Sequence, residues 1–295
     1  MKKLLYILFV FLLSQKAEAQ YYYIPFVNAG QNPGNLNSDP EFPFGGGMAT
    51  GWTNLLGPTN ATPVWSAVKN IPFAFSFNGT AVTQYKVSSS AIVTFDVATA
   101  LAAPSYTKAA FPSALIPDNS ICIWGLAGKG TNDYVSTKVF GSSPNRQLWI
   151  HFSSFGFGNV ASDGSNYTYW SIVLEETTNH IYIVDSRTGG YATTKKVSAG
   201  LQINSALAYS VATSPNLSAV AGTGATAADN TYYQFIPGSQ PSFDLGISKI
   251  STSPYLVVGA NDIIGVVRNF GTSTISSMKL NYIINGGAVV SDSLT

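Results

Sequence analysis

The chain of 295 residues has little of what soluble enzymes usually carry: 10% charged residues, two histidines and a single cysteine. Cys122 cannot form a disulfide within the chain, so the fold must be held by its apolar core. It lies between Ile121 and Ile123, with no histidine or lysine close in sequence. This setting predicts a buried core thiol and not a reactive one.

Catalytic motifs are also missing. His151 and His180 stand in neither a His-x-His nor an HExxH pattern, so the sequence indicates no zinc site. There is no GxSxG turn for a serine nucleophile, although a Ser-His-Asp triad assembled across the fold stays open. Glu175 and Glu176 are adjacent on a predicted strand, where they face opposite sides and cannot serve one substrate. We therefore expect no enzyme, and we interpret the pair as a solvated strand end.

No cofactor is expected, with loop calcium as the one case left open. The chain has no Asp-x-Asp-x-Asp-Gly loop, but isolated acids stand in predicted loops of the kind that bind calcium in β-sandwiches. These acids are Asp39, Glu41, Asp118, Asp133 and Asp163. The glycines between Gly125 and Gly130 lack the spacing of a phosphate loop.

The first 19 residues are typical of a cleavable signal peptide. Lys2 and Lys3 precede an uncharged apolar run, and Ala17-Glu18-Ala19 predicts cleavage before Gln20. The run of about 10 residues is too short to span a bilayer, and no later stretch is longer. Removal of four charged residues leaves 12 basic and 13 acidic side chains, which gives no basic surface for nucleic acid. We expect a secreted or cell-surface protein without a membrane span.

Residues 20–238 are predicted to form an all-β domain. Phe73, Phe75 and Phe77 alternate with small residues, and Asn78-Gly79 follows as a hairpin signal. Many further short strands are separated by turns, without amphipathic helices between them. The pattern favours an antiparallel two-sheet sandwich of jelly-roll-like type.

A second domain is expected over residues 239–295. The segment Pro237-Gly-Ser-Gln-Pro241 has the composition of a linker, and a new strand pattern begins at Phe243. These strands are typical of the opening of an Ig-like sandwich, which takes about 100 residues. We therefore expect an Ig-like domain truncated at its C-terminus, and a longer multi-domain protein.

Aromatic residues are the one abundant group that suits a binding surface, at 13% of the chain. Rings beside Asn and Asp in polar loops suit sugar stacking and flat protein contacts. The candidate ligand-contact aromatics are Trp52, Trp65, Tyr167, Tyr169 and Trp170.

Several stretches resemble known secreted proteins. Ile71-Pro-Phe-Ala-Phe-Ser-Phe-Asn-Gly-Thr and Tyr85-Lys-Val-Ser-Ser-Ser-Ala-Ile-Val-Thr-Phe resemble the N-terminal sandwich of cargo of the Bacteroidota type IX secretion system. Ser90-Ala91 stands where that family has Asn-Gly. The strands Asn145–Phe152 and Trp170–Val184 are similar to those of nidogen-like modules, and Asp244–Leu294 resembles adhesion-related Ig-like domains.

The resemblance implies an extracellular adhesion or structural module that uses the type IX export machinery. Its partner would be an extracellular protein or a glycan surface. A carbohydrate-binding module, alone or ancillary to a secreted hydrolase, is the alternative.

Overall fold

The computed structural model describes residues 20–40, 50–158, 167–189, 195–220, 226–250 and 261–294, and the single residues 252, 257 and 259. The expected signal peptide, residues 1–19, lies outside the described residues. The chain divides into two compact units, Met1–Gly238 (unit 1) and Ser239–Thr295 (unit 2). No helix in the described part of the chain is long and apolar enough to cross a membrane.

The described part of unit 1 is built from strands, with one 3-10 turn at Pro33–Asn35. The strands are β1 Tyr21–Phe26, β2 Thr53–Leu56, β3 Lys69–Phe77, β4 Thr80–Val87, β5 Ile92–Thr94, β6 Ser120–Trp124, β7 Leu126–Ala127, β8 Tyr134–Phe140, β9 Gln147–Phe157, β10 Thr168–Glu175, β11 Ile181–Thr188, β12 Lys196–Asn204, β13 Leu207–Ser210, β14 Leu217–Ser218 and β15 Thr231–Pro237. The all-β prediction is confirmed.

These strands form two sheets. The first sheet has the order β2-β8-β9-β10-β11-β15-β1, and the second has the order β3-β4-β5-β6-β12-β13, with β14 also paired to β12. All these pairs are antiparallel, and the short β7 contacts both β6 and β9 and so links the sheets at one end. The arrangement is the predicted sandwich.

Turn residues explain two of the connections. Asn78 and Gly79 both have positive φ between β3 and β4, as the hairpin signal predicts. Ala91 has φ of 60° in the turn before β5, at the place where the resembling family has glycine. The left-handed conformation is therefore kept here by an alanine, whose methyl group is buried in the core.

The main core lies between the sheets. Its largest members include Trp170, Phe152, Phe155, Phe77 and Phe235, all almost fully buried. On β9, Leu148, Ile150 and Phe152 face this core while Trp149 faces outward, so successive side chains of this strand alternate between the two faces. Because apolar residues such as Trp149 also lie on the outer face, that face must be shielded from solvent by other parts of the chain.

Loops supply that cover. Residues 27–40, which we call the strap, run over the outer face of the first sheet, where Ala29 and Leu36 pack against Trp149 and its apolar neighbours. On the second sheet, Ile116 covers Cys122 and Trp124 in a smaller cluster. Cys122 is fully buried, and burial raises the pKa of its thiol well above the usual range, which confirms the prediction of an inert core residue.

The described residues of unit 2 form two hairpins. β16 Leu245–Ile250 pairs with β17 Gly265–Asn269, and β18 Met278–Tyr282 pairs with β19 Val290–Leu294. None of its residues with a described burial is buried. The hairpins agree in position with the strands expected over residues 239–295.

Candidate binding site on the outer face of the first sheet

A row of polar side chains crosses the outer face of the first sheet. Ser136 on β8 lies opposite His151 on β9, and His151 lies opposite Ser171 on β10. Their side chains share the face of Trp149 and Val173, because residues two apart on a strand point to the same side. All three polar residues are buried. We call them the polar row.

His151 is the centre of the polar row. Its Nδ1 lies 2.9 Å from Ser171 Oγ, within hydrogen-bond distance. Its Nε2 has no hydrogen-bond partner among the described residues, and neither has Ser136 Oγ. Burial lowers the pKa of His151 to about 3, so the imidazole is neutral at ordinary pH.

Aromatic rings surround this histidine. The Trp52 ring centre lies 5.6 Å from that of His151, and the Tyr169 ring stacks with the imidazole at 6.1 Å with an interplanar angle of 12°. Tyr167 continues the series at 5.8 Å from Tyr169, with the Arg187 guanidinium 5.6 Å from the Tyr167 ring centre. His151 thus joins three of the five candidate aromatics into one ladder.

The strap is fastened over the polar row by a few polar contacts. Asp39 Oδ2 accepts hydrogen bonds from Trp52 Nε1 at 2.8 Å and from Lys138 Nζ at 2.7 Å. Asn230 Nδ2 donates to Asn32 Oδ1 at 2.6 Å, which ties the strap to the residue just before β15. These contacts hold Trp52 against the histidine.

A small cavity remains beneath the strap. Its volume is about 10 Å³, close to the least that can hold one water molecule. The wall consists of Asn32, Asn37, Pro40, Trp52, Trp149, His151, Ser171 and Ser186. A cavity of this size admits no sugar ring or peptide side chain.

The five candidate aromatics therefore separate. Trp170 is fully buried in the core between the sheets, where its Nε1 donates to Thr168 Oγ1. Trp52 and Tyr169 are buried against the ring of His151. Tyr167 and Trp65 are half-buried, and the Lys86 ammonium lies 5.0 Å from the Trp65 ring centre on the second sheet. Of the five, these two keep rings that a ligand can reach directly.

The Ser171–His151 pair combines the residue types of a nucleophile and its general base, but the histidine lacks the pKa and, among the described residues, the carboxylate partner that a catalytic base needs. A base that works near neutral pH needs a pKa near 7, and that of His151 is about 3. No carboxylate among the described residues contacts Nε2. The pair therefore fits a structural role in the sheet.

The acidic pair at the end of β10 is not a solvated strand end. Burial by itself raises the pKa of Glu175, but hydrogen bonds outweigh it and lower the pKa to about 2; the donors are His180, Gln147, Thr178 and Tyr182. Glu176 forms an ion pair with Arg146 at 2.7 Å instead. The two carboxylates have separate partners, and the expectation of a solvated strand end is wrong, because residues on or beside the neighbouring strands supply donors to both.

The three described calcium candidates, Asp39, Asp118 and Asp133, do not join in a group of three possible ligands. Asp39 is paired with Lys138, and Asp133 accepts a hydrogen bond from the backbone N–H of Gly130. Burial raises the pKa of Asp133 to about 6. Glu41 and Asp163 lie outside the described residues. Among the described residues, no three acidic, histidine or cysteine side chains are placed to hold a metal ion.

Sequence reasoning did not find the polar row. Ser136, His151 and Ser171 are separated by 15 and 20 residues, and only strand pairing makes them neighbours. The signal that was available is the alternation on β9, which places His151 on the outer face. Nothing in the sequence indicates that the strap covers this face.

Comparison with known proteins adds the family. A family model described as NIDO-related matches residues 48–237, nearly all of the sandwich. The chain belongs to the NIDO-related family. The match supports the nidogen-like resemblance, and it indicates an extracellular module of nidogen type. No curated protein and no solved structure matches the chain.

Proposed function

We propose that this NIDO-related protein is an extracellular adhesion or structural module that binds another protein or a cell surface. The observation that carries the proposal is the family match over the sandwich, residues 48–237. The buried polar row supports it, because the cavity beneath the strap is too small for a sugar ring or a peptide side chain. Contact must then be made by the outer surface of the module.

A groove offers one such surface. It has a volume of about 360 Å³, within the range of ligand sites, and runs between the β3–β4 hairpin and the β10–β11 turn. Ala74, Ser76, Ala81 and Thr83 line it with small side chains, and Asn179 Oδ1 accepts a hydrogen bond from the Ser76 backbone at its edge. A shallow groove with small polar and apolar groups suits a protein segment better than a small molecule.

We also propose that the protein is not an enzyme. The low pKa of His151 and its burial with Ser171 support it. A general esterase assay with p-nitrophenyl acetate checks the point. Hydrolysis above the buffer rate that disappears in Ser171→Ala would contradict it.

An adhesion assay tests the main proposal. Beads coated with the full chain are expected to adhere to surfaces coated with extracellular proteins, saturably and in competition with soluble chain. Thr83→Lys places a long charged side chain in the groove and is expected to weaken adhesion, whereas Thr107→Lys, in an exposed loop of the second sheet, is the matched control. Failure to adhere to any protein surface or cell would overturn the proposal.

Glycan binding is the second candidate, alone or beside a secreted hydrolase. It is favoured by the half-buried ring of Tyr167, which lies at the accessible end of the aromatic ladder. On a glycan array, Tyr167→Ala is expected to lower binding by about tenfold, the scale of a lost anchor residue. Tyr134→Ala, a half-buried tyrosine on β8, is the control. Absence of binding to every glycan at millimolar concentration excludes this function.

We further propose that the signal peptide is cleaved before Gln20 and that the protein is exported through the type IX machinery. We also propose that unit 2 is an Ig-like domain. The resemblance of the sequence supports both. N-terminal sequencing of the protein recovered from culture medium is expected to begin at Gln20. A product that begins at Met1 contradicts the cleavage.

A further inference from the structure

The polar row contains a hydrogen-bonding atom that the described protein groups leave unused. His151 is fully buried, and its Nε2 has no partner among the described residues. Buried polar atoms in folded proteins almost always have a partner, either a protein group or an ordered water. An imidazole nitrogen left alone in a buried site therefore points to a bound molecule.

The surroundings of His151 restrict that molecule by size. The cavity that the imidazole lines has a volume of about 10 Å³, near the lower limit for one water molecule. The indoles of Trp52 and Trp149 and the ring of Pro40 form its apolar walls. Any ligand with more than one heavy atom would have to displace the strap.

The polar groups around the cavity limit which chemical groups the bound molecule can have. A buried water makes two to four hydrogen bonds, and the wall offers the side chains of Asn32, Asn37 and Ser186 besides the histidine. The imidazole is neutral, so one ring nitrogen donates and the other accepts, and Ser171 engages Nδ1. Water can serve Nε2 in either tautomer, because it both donates and accepts.

A metal ion does not fit this position. Among the described residues that line the cavity, His151 is the only histidine, and none is a cysteine or a carboxylate. The described part of the chain has no group of three such ligands at all. A transition metal held by one imidazole would lack the coordination that protein sites provide.

We infer that the cavity is a binding site for a single ordered water molecule, which His151 Nε2 holds and which joins the polar row of the sheet to the strap. The water gives the strap a hydrogen-bonded attachment at the middle of the sheet. Asp39 and Asn32 supply its other attachments.

The number of long-lived waters in the full chain tests this inference. Magnetic relaxation dispersion is expected to lose one such water in His151→Phe, because the larger apolar ring fills the cavity and removes Nε2. Ser120→Ala is the control, since Ser120 is buried on the second sheet, its hydroxyl already donates to the Pro117 carbonyl oxygen and it does not line the cavity. It is expected to leave the number unchanged. An unchanged number in His151→Phe overturns the inference.

A crystal structure of the wild-type chain provides a second test, which needs no substituted protein and so cannot fail because a variant does not fold. Density for one water is expected within about 2.7–3.2 Å of His151 Nε2. A protein atom bonded to Nε2, or a larger molecule in the cavity, overturns the inference. Either result leaves the adhesion proposal untouched, because adhesion is measured at the outer surface.

Discussion

Units 1 and 2 use the same strand chemistry and reach different degrees of burial. Unit 1 closes two sheets over a core that includes Trp170 and Phe152. Unit 2 forms two hairpins, and eleven of the sixteen exposed large apolar side chains in the described residues belong to it, with Phe243 at 69% and Ile247 at 58%. Alternation of apolar and polar residues therefore produces strands in both units, but a core needs a second sheet.

The covering of outer faces extends this lesson. In unit 1 the strap covers the outer face of the first sheet, and Ile116 with its loop covers part of the second. Isolated hairpins are only marginally stable in water, and three or more strands or further packing are needed. The difference between the units is thus one of packing partners and not of strand propensity.

The largest expected effect breaks the core of unit 1. Trp170→Ala removes a fully buried ring and leaves a cavity, at a cost of about 3–5 kcal/mol. Phe243→Ala in unit 2 removes an equally aromatic but exposed side chain and is expected to stay within about 0.5 kcal/mol. Denaturant unfolding of the full chain measures both. Equal costs would show that the contrast in burial does not govern stability.

A pH effect is expected from the polar row and not from the exposed hairpins. The pKa of His151 is about 3 in the fold and about 6.5 when unfolded, so the unfolded chain binds the extra proton between these values. Stability is therefore full above pH 6.5 and falls by about 1.4 kcal/mol per pH unit below it. Relative to His151→Gln, the wild type should lose about 2 kcal/mol between pH 7 and pH 5.

The comparison of the wild type with His151→Gln separates the pH effect of the histidine from that of two buried acids in unit 1. Burial raises the pKa values of Asp133 and Asp185. These two carboxyls therefore stabilise the fold as pH falls, which is opposite to the effect of His151. Both acids are present in the wild type and in the variant, so they cancel in the difference. Unfolding curves at pH 8 provide the baseline, and parallel pH profiles of the two proteins would contradict the prediction.

The smallest effect concerns the strap. Asp39→Ala removes the acceptor of the buried Trp52 indole and the partner of Lys138, at an expected cost of about 1 kcal/mol. Asp39→Asn keeps an acceptor for Trp52 and should cost about half as much. Thermal unfolding followed by tryptophan fluorescence measures both. If the two variants were equally destabilised, the ion pair and not the indole contact would fasten the strap.

Much of the fold was predictable from local sequence. β3, the Asn78-Gly79 turn and the two faces of β9 follow from alternation and turn chemistry, and Cys122 is buried as its apolar neighbours predict. The aromatic candidates were less predictable, because loop position does not reveal what covers a ring. Trp52 and Tyr169 meet through His151, while Trp170, the next residue on β10, points into the core.

The sequence by itself determined the class of this protein: all-β, with its strands, its main hairpin turn and its inert cysteine. These features depend on contacts within a few residues, so composition and period suffice to specify them. Only the tertiary structure decided the polar row, the burial of Trp52 and the separate partners of Glu175 and Glu176. Each of these depends on strand pairing or on the strap, which join residues distant in sequence through packing that no local pattern records.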